Sequence, residues 1–98
     1  MRFAVIFRDR PGQGDLRTQQ LQAHLRWLDE NRDWVLVGGS LRETPQETPI
    51  GGLWVVEAES RQDVQERMQS DPFMTCGLRE SVQILHWSKA FASRLVPV

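Results

Sequence analysis

The sequence predicts an α+β domain whose elements follow the order β-α-β-β-α-β, a ferredoxin-like arrangement with four antiparallel strands and two helices on one face. Two observations carry that prediction. Short runs rich in Val, Ile, Phe and Trp, bounded by arginines, glycines or prolines, read as strands. Longer runs with helical spacing separate the first strand from the second and the third from the fourth. At 98 residues there is room for one such domain and not for two, so residues 1–98 are expected to be a single unit.

The first strand is Phe3-Ala4-Val5-Ile6-Phe7, with Phe3, Val5 and Phe7 on one face and Ala4 and Ile6 on the other. The cluster Asp9-Arg10-Pro11-Gly12-Gln13-Gly14 is a turn. Asp15 is placed to N-cap a helix that runs to about Arg32, with Leu21, Leu25 and Leu28 as its buried stripe. Arg17 and His24 fall on or beside that stripe, and Trp27 flanks it. Trp34–Val37 reads as the second strand, ended by Gly38-Gly39-Ser40. Residues 43–49 make a polar connection with two prolines, and Gly51–Ala58 is the third strand. Ser60-Arg61-Gln62-Asp63 has the form of a capping box and opens a second helix with Val64 and Met68 facing inward. Pro72 disfavours helix at the residue before it, so that helix stops ahead of Asp71. Ser81–Trp87 is the last strand, and residues 89–98 form a C-terminal tail expected to dock on a partner subunit.

Two helices cover only one face of such a sheet, yet the strands are apolar on both. A homodimer closing sheet against sheet is the economical way to bury the second face. The charge balance, 12 Lys+Arg against 13 Asp+Glu, argues against a broad nucleic-acid-binding surface. The single cysteine, Cys76, rules out an intramolecular disulfide and fits a reducing, cytoplasmic setting. The apolar run after Met1 is too short for a signal peptide, and no run approaches the ~20 residues that span a bilayer.

Histidine titrates near neutrality and suits proton transfer, so His24 is the first candidate for chemistry. The competing reading is a core histidine satisfied by a neighbour. Asp71 is the second candidate. Locally, Asp-Pro after a helix is turn or capping chemistry. In this topology, however, the end of helix two lies near the middle of helix one, where a carboxylate can orient the imidazole and stabilise its charged form. His86 shares a face with Val82 and Ile84 and reads as structural or interfacial. Cys76 reads as a small half-buried thiol, a nucleophile pairing with His24 being the alternative. The two histidines and one cysteine have no metal-ligand spacing, so neither a metal nor a cofactor is expected. Gly38-Gly39 and Gly51-Gly52 lack phosphate-loop spacing and mark flexibility or close backbone approach. Arg8, Arg10 and Arg17 cluster where they can attract an acidic ligand.

Over most of its length the chain resembles YciI-like (YCII-related) proteins. The matching pieces are Asp9, Ala23-His24-Leu25 with Leu28, Gly39, Asp71-Pro72-Phe73 followed by Gly77-Leu78, Val82-x-Ile84 and Trp87. The resemblance implies a dimeric α/β barrel made through the sheets and a site built on a His-Asp pair, here His24 and Asp71. Asp9, Arg17 and Phe73 are the accompanying ligand contacts. A relative acting as a dehydrochlorinase implies proton-transfer or elimination chemistry on a small organic molecule. Many relatives carry arginine where this chain has Leu21, which keeps open a non-catalytic module binding a small ligand or a partner in the same cleft. A haem-free monooxygenase is a third and weaker reading, since no residue calls for oxygen chemistry.

Overall fold

A computed structural model describes residues 1–96 and 98; Pro97, within the expected tail, lies outside the described residues. Strands β1 (Arg2–Asp9), β2 (Val35–Leu41), β3 (Gly51–Glu57) and β4 (Arg79–His86) form one antiparallel sheet in the order β2-β3-β1-β4. Helix α1 (Gly14–Glu30) joins β1 to β2. Helix α2 (Arg61–Arg67), a 3₁₀ turn (Met68–Ser70) and the short helix α3 (Pro72–Thr75) join β3 to β4. The helices and the sheet make the ferredoxin-like α+β domain predicted from the strand pattern.

Alternation along β1 decides where the core sits. Phe3, Val5 and Phe7 are buried with Trp54 and Val56 of β3, Ile84 of β4, Trp27 of α1 and Val64 of α2. The residues between them point the other way. Ile6, Val37, Leu41, Leu53 and Leu85 all lie on exposed positions of strands. Ile6 pairs with Leu53 across β1 and β3, and Ala4 pairs with both Val55 and Leu85, so this apolar surface is continuous.

Several boundaries differ from the sequence reading. The N-cap of α1 is Gln13, without a side-chain cap; Asp15 lies inside the first turn, where its charge still suits the helix dipole. The buried face of α1 is Arg17, His24 and Trp27, whereas Leu25 is exposed and Leu21 and Leu28 are half-buried. The indole of Trp27 claims the space against the sheet, stacking at 5.4 Å on Trp54. Strand β2 does not end at Gly38. It runs through both glycines, which pair with Trp54 and Leu53, and a Cβ on Gly38 would lie 3.1 Å from Cδ1 of Trp54. Trp34 precedes the strand and is buried, with Nε1 donating to Asn31 at 2.9 Å. Strand β4 opens two residues early, at Arg79, which pairs with Asp9 across a β-bulge. Half of the capping box holds: Ser60 accepts the Asp63 N–H at 3.0 Å, while the Asp63 carboxylate accepts from the Glu59 N–H, one residue before the cap, at 3.1 Å.

Candidate functional site

Asp71 owes its position to Pro72. The proline keeps Asp71 extended (φ −62, ψ 129), which ends the 3₁₀ turn and lets the chain restart as α3 with proline in its first turn. The Asp71 carboxylate then does two things at once. Oδ1 caps α3 by accepting the Phe73 N–H at 3.1 Å, and the same oxygen lies 2.7 Å from Nδ1 of His24 on α1. The capping aspartate and the carboxylate aimed at histidine are therefore one geometry rather than rival readings. Asp71 is fully buried and His24 nearly so.

The hydrogen bonding assigns the histidine tautomer. An ionised carboxylate only accepts, so Nδ1 carries the proton and donates it to Asp71. That leaves Nε2 as the ring nitrogen available to another molecule. The imidazole lies flat against Phe73, centroids 3.9 Å apart and planes at 13°. Phe73 has no exposed surface; it sits behind the imidazole and fixes the ring plane instead of meeting a ligand.

A second charged group lies beside the first. Asp9, at the end of β1, binds two arginines. Its Oδ2 accepts from Nε of Arg17 at 3.0 Å, and its Oδ1 accepts from Nη1 of Arg79 at 2.6 Å. Arg17 also donates to the Gly51 carbonyl at 3.2 Å. The Arg79 guanidinium lies between Phe7 and Phe73, 4.4 and 4.9 Å from their ring centres. Burial draws the pKa of Arg79 down from its ordinary value, opposed by the hydrogen bond and charge of Asp9 and by the charge of Asp71. Arginine starts so high that it remains a cation.

These groups meet at a cleft of about 460 Å³ between α1, β2 and the connection following β2. His24, Arg17 and Arg79 line it with Trp54, Leu21, Leu25, Leu28 and the backbone of Gly38 and Gly39, while Arg42 stands at its exposed margin. The arrangement is chemically able to hold a flat, acidic molecule and to exchange a proton with it at Nε2. Of the residues singled out in the sequence, His24, Asp71 and Arg17 come together here. Asp9 stands behind the arginines and Phe73 behind the histidine. Cys76 is half-buried with Sγ toward the Phe73 carbonyl at 3.8 Å, and His86 is exposed on β4 against Phe3. Among the described residues no cluster of His, Cys, Asp and Glu is suited to a metal ion.

Arg79 was not visible as a site residue. An arginine at the start of a strand reads as solvated charge, and its partner Asp9 is 70 residues away. The only available signal was the tight turn before it, where Gly77 has φ +79 and returns the chain to the sheet beside β1.

The family model of the YCII-related domain matches residues 1–88. Among solved structures, 5-chloro-2-hydroxyhydroquinone dehydrochlorinase from Burkholderia phenoliruptrix, in complex with 2,5-dihydroxybenzoquinone, is similar with a TM-score of 0.81 and 29% identity, over 90% of this chain and 94% of that one. A candidate antibiotic biosynthesis monooxygenase from Bacteroides thetaiotaomicron has a TM-score of 0.58 at 11% identity, over 98% of this chain and 94% of that one, which is a likeness of fold alone. No curated protein matches.

Proposed function

This chain belongs to the YCII-related domain family, and on that premise we propose that it is a small-molecule enzyme in which His24 moves a proton on a cyclic, acidic substrate. The observation that carries the reading is the buried pair at 2.7 Å between His24 Nδ1 and Asp71 Oδ1, on the wall of a cleft lined with arginine. Neutral His24, with its proton on Nδ1, offers the lone pair of Nε2. It takes a proton from a hydroxyl or acidic carbon of the substrate, and the imidazolium so formed is stabilised by the Asp71 carboxylate. On a chlorinated hydroxyhydroquinone that proton passes to the ring carbon bearing chlorine, giving the keto tautomer. Loss of a second hydroxyl proton to His24 then drives its electron pair through the ring to expel chloride. His24 hands this proton to water, for a net loss of HCl. Without a leaving group the same proton goes back at another atom, which is isomerisation. Similarity to a dehydrochlorinase supports the first variant.

The test uses chlorinated and unchlorinated hydroxyhydroquinones, with chloride release and loss of substrate absorbance as readouts. Wild type turns over at least one, and His24→Gln is slowed by about 10²–10⁴-fold, the usual contribution of a general base. A His24→Gln protein as active as wild type would end this reading. Leu21, half-buried on the cleft wall where the family resemblance implies an arginine, favours a second one, a cleft that binds without turnover. Tight binding of 2,5-dihydroxybenzoquinone with no reaction on any member of the series would select it.

We also propose that two copies pair through their open sheet faces to give a dimeric α/β barrel. The continuous exposed surface containing Ile6, Leu53 and Leu85 supports this. Ile6→Glu places a charge in its centre and yields a monomer by light scattering; a wild-type protein that is monomeric at high micromolar concentration contradicts the pairing.

A further inference from the structure

Arg79 is poorly explained as a structural ion pair. Arg17 donates from Nε to Asp9 and from Nη2 to the Gly51 carbonyl, which occupies two of its three guanidinium nitrogens. Arg79 donates only from Nη1, to Asp9. Its Nε is buried with no hydrogen-bond partner, and among the described residues its Nη2 has none either. That Nη2 lies against Gly52, where even a Cβ would be 3.5 Å from it. Nε stays enclosed by protein, so Nη2 is the guanidinium donor left to meet an oxyanion, with a charge-assisted hydrogen bond. A buried donor without a partner is costly and calls for a reason.

Charge counting points the same way. The buried set is Arg17, Arg79, Asp9, Asp71 and His24. With His24 neutral it holds two cations and two anions. The set therefore presents no excess negative charge to repel an anion entering the cleft, and a proton taken up by His24 would only add to the attraction. Helix α1 turns Leu21, Leu25 and Leu28 toward the cleft, and Arg17, the cation it does supply there, is already engaged by Asp9 and the Gly51 carbonyl.

We propose that Arg79, from β4, binds the ionised oxygen of a planar aromatic or quinonoid ligand and sets the preference of the cleft for anions. This rests on the cleft being the ligand site, though not on His24 performing catalysis. Asp9 is the positioning residue that holds the guanidinium, and the Phe7 and Phe73 rings confine its plane.

The experiment measures binding of 4-nitrophenolate and of its neutral counterpart 4-nitroanisole at pH 8.5, by absorbance and calorimetry. Wild type prefers the phenolate. Arg79→Met alone leaves Asp9 with one partner fewer and is prone to misfold, so the informative variant is Asp9→Asn/Arg79→Met, which removes one charge of each sign. It is expected to lose at least tenfold in phenolate affinity while 4-nitroanisole binding stays within twofold. Arg79→Lys, with the charge but without the fork, is expected to fall between. His24→Gln is expected to retain the phenolate preference, and this separates the present inference from the proton-transfer reading: His24→Gln inactive but anion-selective supports both. A double variant that keeps the wild-type preference, or a wild type that binds the two compounds equally, overturns the role of Arg79 whatever the activity of His24.

Discussion

Asp71→Asn is the most informative single change, because it keeps shape while removing charge. In the wild type, Oδ1 accepts from His24 Nδ1 at 2.7 Å and from the Phe73 N–H at 3.1 Å, while Oδ2 is buried without a partner. An asparagine has two ways to fit. With its oxygen at the Oδ1 position, both hydrogen bonds survive, but the NH₂ group takes the Oδ2 position and two buried donors lack acceptors. That costs about 1–3 kcal/mol of stability, or roughly 4–8 °C of melting temperature per kcal/mol in a domain of this size. The bond to the imidazolium becomes charge–neutral on one side only, weakening it by about 1–2 kcal/mol and slowing proton transfer on the order of tenfold. With the amide reversed, NH₂ faces Nδ1, the proton moves to Nε2 and the base is lost, a loss of about 10²–10⁴-fold. The expected outcome is a folded protein, less stable, with kcat down about tenfold if the amide oxygen keeps the Oδ1 position and about 10²–10⁴-fold if it is reversed, and with KM changed less than ~3-fold in either case. A second readout needs no substrate. Nitrogen-15 NMR of neutral His24 shows the proton on Nδ1 in the wild type. Finding it on Nε2, or finding Asp71→Asn as active as wild type, would refute the assigned tautomer and with it the role of Asp71.

Other consequences can be measured independently. Phe73 is fully buried and stacked on His24, so Phe73→Ala lowers stability by about 3–5 kcal/mol in urea denaturation. A Cβ on Gly51 would stand 2.0 Å from the Phe7 carbonyl oxygen, so Gly51→Ala forces β1 from β3 and costs more than the ~1–3 kcal/mol of ordinary overpacking; an unchanged melting temperature would contradict the close approach. The Asp63 carboxyl is held below its ordinary value by the Glu59 N–H and by Arg67. Its folded form therefore binds protons less readily than the unfolded chain, so its contribution is complete above the ordinary value of 3.8 and is lost as pH falls through the lower folded value. The stability gap between wild type and Asp63→Asn is expected at pH 7 and closes in strong acid, as urea midpoints across that range will show.

The strands were legible because alternation and β-rich composition report one-sided burial directly, and β1 is the clearest case. The glycine pair after Val37 misled for a related reason. Glycine usually ends a strand, but at Gly38 the bulk of Trp54 on the neighbouring strand favours an absent side chain, a demand that is written in another element. Helix α1 was placed correctly while its buried face was not. Hydrophobic spacing favoured Leu21, Leu25 and Leu28, whereas the sheet receives Arg17, His24 and Trp27, because ion pairs and a hydrogen bond make burial of the polar groups tolerable. The meeting of His24 with Asp71 was inferable from topology and from the resemblance. The Asp9–Arg79 pair was not, since neither residue carries a local signature of burial.

Those buried charges separate what the fold requires from what a site requires. Phe3, Val5, Phe7, Trp54 and Val56 suffice to specify a sheet with helices on one face. Nothing in that task needs Asp9, Arg17, His24, Asp71 and Arg79 to leave water together. Desolvating an ion pair often cancels what its attraction returns, and apolar residues of similar volume serve stability equally well or better. The five groups are instead gathered in one place. They line or stand directly behind one cleft, with Phe73 packed against both His24 and Arg79. One aromatic ring thus packs against both the imidazole and the guanidinium. The imidazole and the guanidinium, sharing one rigid backing, are held in fixed relation to each other, which is the condition that the proposed proton-transfer and anion-binding roles need in order to meet two atoms of the same flat molecule.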